Sequence, residues 1–153
     1  MRTRNLIFII NYVILCVSCS LGFKSLKSGF FSTGISYFGA GLAIVCISIA
    51  IVVHSSFPKK HDKASDFTNL ATTGLYSYVR HPFYSILIAL NYAISLAFLS
   101  FYAIIASTLL IPLWWYLAKT EENDLVHVWG QKYVDYKKNV PMFLPKLQRK
   151  KRS

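Results

Sequence analysis

The sequence predicts an all-α, polytopic membrane protein with about four transmembrane helices and a C-terminal amphipathic helix on the cytoplasmic side. Three observations carry that expectation. Of the 153 residues, 54% are hydrophobic and only 15% charged, whereas a soluble domain is about a quarter charged. The mean hydropathy is +0.42. The charges that exist are separated by long uncharged runs, as a chain needs where a hydrocarbon layer excludes ions. Lys and Arg number 17 against 6 Asp and Glu. A nucleic-acid binder would set such cations on a folded polar face, so no nucleic-acid partner is expected.

Leu6 to Phe23 is the first uncharged run, 18 residues closed by Lys24 and Lys27, and predicts a span over 6–23. Arg2 and Arg4 before it, with Cys16-Val17-Ser18-Cys19 inside it, brush against a signal-peptide pattern. The aliphatic residue such a pattern wants at position 16 is lacking, and the segment is read as a retained helix. Ser28 to Pro58 carries no Lys, Arg, Asp or Glu and has its apolar heart at 35–53, the second span. Phe83 to Ala118 is uncharged for 36 residues, a helix of about 54 Å against a hydrocarbon core of about 30 Å. It therefore predicts a hairpin of spans 83–99 and 101–118 turning near Leu99-Ser100-Phe101, or a partly re-entrant arrangement, with a kink at Pro112.

Four spans put both termini and the middle loop on one side. That side collects Arg2, Arg4, Lys59, Lys60, Lys63, Arg80 and nine basic residues from Lys119 onward, against Lys24 and Lys27 opposite. Basic residues mark the cytoplasmic face, so the termini are expected there, in the inner membrane of a prokaryote or the endoplasmic reticulum of a eukaryote. Trp114, Trp115 and Tyr116 fit an interfacial aromatic belt. Cys16, Cys19 and Cys46 read as packing residues, and no spacing suggests a metal site. The loop 54–73 reads as a polar connection, and the tail 146–153, five basic residues in eight, as a solvated end or an attraction to anionic headgroups.

Two polar clusters remain. Gly74-Leu75-Tyr76-Ser77-Tyr78-Val79-Arg80-His81-Pro82-Phe83-Tyr84 leads into the third span, with Pro82 suited to a first helical turn whose N–H groups favour an anionic ligand. The plainer account is membrane anchoring by Arg80 and an interfacial Tyr84. Lys119-Thr120-Glu121-Glu122-Asn123-Asp124 follows the fourth span. Acidic residues there are not explained by orientation, although Lys119 and Glu122 can pair at i, i+3. Leu125, Trp129, Tyr133, Tyr136 and Val140 then recur at helical spacing, with Lys132, Asp135, Lys137 and Lys138 between, describing an amphipathic helix interrupted at Gly130 and ended at 140–145. Residue chemistry alone thus points to a single membrane domain, 1–153, whose cytoplasmic segments 74–84 and 119–145 meet to bind a zwitterionic or anionic small molecule.

The run Thr73 to Tyr84, containing Arg80-His81-Pro82-Phe83-Tyr84, resembles the Arg-His-Pro-x-Tyr signature of the isoprenylcysteine carboxyl methyltransferase family. Thr120-Glu121-Glu122 through Gly130, Tyr133, Tyr136 and Val140-Pro141 resembles that family's C-terminal signature. Together they cover about half the chain, and the first two spans are not diagnostic. The resemblance implies methyl transfer from S-adenosylmethionine, leaving S-adenosylhomocysteine, to a lipid-borne acceptor, with carboxyl O-methylation of an isoprenylcysteine-like or other lipid carboxylate expected. It implies a cofactor pocket from Gly74, Tyr76, His81, Pro82, Phe83, Tyr84 and Glu121, with Glu122 the alternative to Glu121. Arg80 becomes the candidate catalytic residue steering an acidic acceptor, and Lys119 a second substrate contact. Ile86 stands where many members have Gly, and Met142 where Arg often follows the final Pro; both departures bear on the acceptor. Competing readings are a phospholipid amine N-methyltransferase, in which His81 or Glu122 removes a proton, a nicotinamide-dependent sterol reductase, a much longer kind of chain, and a non-catalytic ligand-binding membrane protein.

Overall fold

In the computed structural model, residues 2–23, 30–55 and 69–145 are described. The charges of Lys24 and Lys27, the loop cations Lys59, Lys60 and Lys63, and the tail from Lys146 lie outside them. The described residues form helices α1 (Arg2–Phe23), α2 (Phe30–Ser55), α3 (Pro82–Ala97), α4 (Phe101–Leu109), α5 (Ile111–Trp129) and α6 (Gln131–Asn139), with a 3-10 turn at Gly74–Ser77 before α3. No strand occurs among them.

Two stretches are long and apolar enough to cross a membrane, Ser32–Ser55 and Phe101–Trp129. Asn5–Leu21 and Pro82–Ala97 are apolar but shorter, and the 16 residues of α3 rise only about 24 Å.

The uncharged run 83–118 reverses at Phe98–Ser100. Leu99 takes φ +51° there, and Ser100 caps α4 by accepting the Ala103 N–H at 3.1 Å. The same hydroxyl donates to the Ser18 carbonyl at 2.7 Å, tying the turn to α1. The kink expected from Pro112 shows as an interruption at Leu110, two residues before it. α4 ends at Leu109, and Pro112 occupies the first turn of α5, where its missing N–H leaves no bond unmade. A difference concerns the polar residues after Ala118. They continue α5 to Trp129 rather than opening a new helix, and only Gln131–Asn139 follows beyond Gly130, whose φ is +54°.

α3 is the centre of the molecule. α2 crosses it closely enough that a Cβ on Gly39 would meet the Ala97 backbone nitrogen and stand 2.8 Å from the Leu96 carbonyl carbon. α1 is held to it by reciprocal amide bonds between buried Asn11 and Asn91, at 3.3 and 2.8 Å. Below this pair, Ile7, Cys46, Tyr84, Leu87, Leu90, Trp114, Leu117 and Ala118 form the core, joining α1, α2, α3 and α5 under the polar end of α3.

Candidate functional site

The site lies where α3 begins. Arg80 and His81 precede Pro82, and their backbone N–H groups are already committed, donating to the Pro141 and Met142 carbonyls at 2.8 and 3.1 Å. The segment after α6 is thus a strap laid across the start of α3. Ser85 extends it by donating to the Phe143 carbonyl at 2.8 Å. On the far side of the strap, the Tyr136 hydroxyl donates to the Tyr76 carbonyl at 2.6 Å.

Two adjacent carboxylates on α5 face this end of α3 and have unequal surroundings. Glu121 is 38% exposed, with one oxygen 3.7 Å from His81 Nδ1. Its other oxygen accepts the Tyr84 hydroxyl at 2.5 Å. The His81 and Tyr84 rings stack at 5.7 Å, 16° from parallel. Glu122 is fully buried. Its Oε1 lies 2.8 Å from Arg80 Nε and 3.5 Å from His81 Nε2, and its Oε2 lies 2.6 Å from Lys137 Nζ and 3.9 Å from Lys119 Nζ. Burial opposes ionisation, but hydrogen bonds from His81 and Lys137 and the charges of Arg80 and Lys137 outweigh it and lower the carboxyl to about 2. Burial pushes the Tyr133 phenol above its ordinary range, and that of Tyr136 up to about 12.

Arg80 is 9% exposed at its side chain. Beyond Glu122 it donates from Nη1 to the Lys137 and Val140 carbonyls, both at 2.8 Å. Its guanidinium is therefore a staple between α3's start, α5 and the strap, directed inward. Lys119 and Lys137 keep 38% and 34% exposure and are the cations of the cluster that face outward.

The residues singled out from sequence are not equally central. Arg80, His81, Tyr84, Glu121, Glu122 and Lys119 come together within the contacts above. Tyr76 stands at the rim, joined through Tyr136. Gly74 opens the 3-10 turn at φ +61°, with nothing within 4 Å of an added Cβ, so its backbone conformation is what calls for glycine. Pro82 is buried, and Phe83 points to α1 and α2, 6.5 Å from the Phe8 ring and 6.0 Å from His54. Trp114 is not interfacial. It is 1% exposed, 5.6 Å from Tyr84 and 5.3 Å from Phe8, while Trp115 and Tyr116 are half exposed. One residue on a helix turns about 100°, so neighbouring aromatics fall on different faces. Sequence reasoning passed over Phe8 and Lys137. Phe8 sits in an undifferentiated apolar run and gave no signal, whereas Lys137 lay inside the C-terminal signature.

Chemically, Glu121 offers a partly exposed carboxylate for an ammonium group, backed by the buried, stacked His81 and Tyr84 rings. Two buried donors, Trp114 Nε1 and Tyr133 Oη, have no hydrogen-bond partner among the described residues, which marks polar capacity near the site left for a ligand. A zwitterionic cofactor with an amino group and an aromatic ring fits these residues. No group of three or more potential metal ligands occurs among the described residues.

Residues 32–132 match the family model of phospholipid methyltransferases. The chain is also 28% identical over 125 residues to a methanethiol S-methyltransferase of Crocosphaera subtropica. That match covers 75% of this chain and 47% of the relative, so the chain spans about half the relative's length.

Proposed function

The chain belongs to the phospholipid methyltransferase family, an isoprenylcysteine carboxyl methyltransferase-like family of membrane methyltransferases, and from that premise we propose that it moves a methyl group from S-adenosylmethionine to a membrane-borne acceptor. The observation that carries the reading is the His81–Tyr84–Glu121 group, with Glu121 half open beside a Glu122 already neutralised by its own cations. When bound, the cofactor supplies an electrophilic methyl on a sulfonium. Glu121 takes its amino group, oriented by the Tyr84 hydroxyl and by His81. The aromatic wall of Tyr84 and its neighbours borders the sulfonium and excludes water, where cation–π attraction favours a positive centre. Gly74 and Tyr76 close the rim, with Pro82 and Phe83 setting the backbone of the floor. Arg80 holds the strap in place and so keeps the pocket assembled. The protein's main task is alignment and desolvation.

The favoured acceptor is a lipid carboxylate of isoprenylcysteine type, which needs no base. The family description favours a second reading, methylation of a phospholipid amine, in which His81 is the side chain placed to receive a proton. A thiol acceptor is the corresponding reading from the C. subtropica relative. We place α1, α2, α3 and the run of α4 with α5 up to Ala118 as the four spans of one domain, 1–153, with termini and segments 74–84 and 119–145 cytoplasmic.

The test is calorimetric titration of the full chain in detergent with S-adenosylhomocysteine, followed by transfer of labelled methyl to membrane lipids. Saturable binding and base-labile incorporation are expected. Base-stable incorporation transfers the assignment to the amine or thiol reading. No binding by folded protein overturns the methyltransferase reading.

A further inference from the structure

Glu122 is one buried carboxylate facing three obligate cations, and two of those cations look outward. Arg80 and His81 take one oxygen, and Lys119 and Lys137 share the other at 3.9 and 2.6 Å. The two ammonium groups therefore stand no more than about 6.5 Å apart with half of a single charge between them. Arg80 is 9% exposed and directs Nε to Glu122 and Nη1 to two carbonyls, so the positive charge open to the outside resides on the lysines. Each keeps about a third of its side chain accessible. Lys119 lies over the Trp115 ring at 5.4 Å, beside the half-exposed Trp115 and Tyr116, aromatics of the kind that mark a bilayer interface.

We propose that Lys119 and Lys137 form an anion subsite that takes the charged head of a membrane amphiphile, a carboxylate or a phosphate, beside the methyl-transfer site. The inference rests on the methyltransferase reading for its consequence, acceptor selection, but not for the binding itself. An anion bridging the two ammonium groups replaces the repulsion between them with two charge-assisted contacts. An apolar chain attached to it stays in the bilayer beside Trp115. The subsite selects acceptors by charge, and the pairing of an α5 lysine with an α6 lysine ties that selectivity to the same strap that Arg80 staples.

The experiment uses the full chain in phosphatidylcholine nanodiscs, titrated with dodecanoate, dodecyl phosphate and uncharged dodecanol, with and without S-adenosylhomocysteine. K119Q, which leaves the Lys137–Glu122 contact intact, K119Q/K137Q and K119R/K137R are compared after thermal melting establishes that each is folded. Both anions are expected to bind at least tenfold more tightly than dodecanol. That preference is expected to shrink in K119Q, vanish in K119Q/K137Q and survive in K119R/K137R, with S-adenosylhomocysteine affinity unchanged throughout. Tighter binding of dodecyl phosphate identifies a phosphate headgroup as the source, and of dodecanoate a carboxylate. Equal binding of dodecanol, or undiminished anion affinity in K119Q/K137Q, overturns the subsite. Lost S-adenosylhomocysteine affinity in folded K119Q/K137Q does so too, because the lysines then serve only Glu122. Failure of the wild-type chain to bind S-adenosylhomocysteine overturns the cofactor reading instead, and the anion titration without it still decides the subsite.

Discussion

Glu121 and Glu122 are chemically identical neighbours on α5, yet their surroundings differ sharply. Glu121 keeps 38% of its surface and meets a phenol and an imidazole. Its replacement by Ala is expected to weaken S-adenosylhomocysteine binding at least about tenfold, or 1.4 kcal/mol, for one lost charge-assisted contact, while melting temperature changes little. Glu122 is buried and enclosed by the protein's own cations. E122A leaves Arg80 and Lys137 facing each other without it, and a loss of about 3 kcal/mol is expected in detergent unfolding. That is the low end for breaking a buried pair, because both lysines retain contact with water. Its pH signature follows in sign. The folded carboxyl titrates at about 2 against an ordinary 4.5, so its stabilisation is complete above about 4.5 and fades as pH falls toward 2. Thermal melts between pH 6 and 3 are expected to show wild type converging on E122Q as acid is added. A constant gap would contradict the ionised assignment. The sequence could show that two carboxylates sit at this membrane exit. Which of them is open depends on Lys137 and the strap arriving from 15 or more residues away.

At the scale of elements, the α1–α3 and α2–α3 contacts decide whether the site has a floor. Asn91 lies inside an otherwise apolar run, and its partner is Asn11, 80 positions away. Removing one amide strands the other, so N11L and N91L are each expected to destabilise by about 0.6–1.7 kcal/mol. N11L/N91L together should cost less than the sum, which a double-mutant cycle reads directly. Gly39 is the contact point of α2 with α3, where a Cβ would meet the backbone of Ala97 and Leu96. G39V is expected to cost about 1–3 kcal/mol by overpacking, read as a lower melting temperature. An unchanged melt would mean the two helices separate without loss. Periodicity located these helices, but it does not report their partners, because an apolar face looks the same whether it meets lipid or another helix. Trp114 illustrates the difference. The sequence groups it with Trp115 and Tyr116, and only the packing separates the buried ring from the exposed pair.

For the whole molecule, the strap is the feature that joins distant parts of the chain. Carbonyls of Lys137 and of Val140 to Phe143 hold Arg80, His81 and Ser85. A chain ending at Asn139 is therefore expected to lose S-adenosylhomocysteine binding by more than tenfold while retaining its helical content by circular dichroism. Retained affinity would show that the strap is dispensable. The helical class, the apolar runs, the turn at Leu99-Ser100 and the two polar clusters are properties of the sequence by itself, because hydrophobic length, proline and glycine positions and charge spacing act locally. Local chemistry stops where one side chain has several possible partners. Only the tertiary structure decided that Arg80 turns inward to carbonyls and Glu122 and that Trp114 is buried beneath Tyr84. It also placed Lys119 and Lys137, 18 positions apart, on the same carboxylate oxygen. Those outcomes depend on how α5, α6 and the strap fold back over α3, since burial and charge compensation are set by the groups that arrive from elsewhere in the chain.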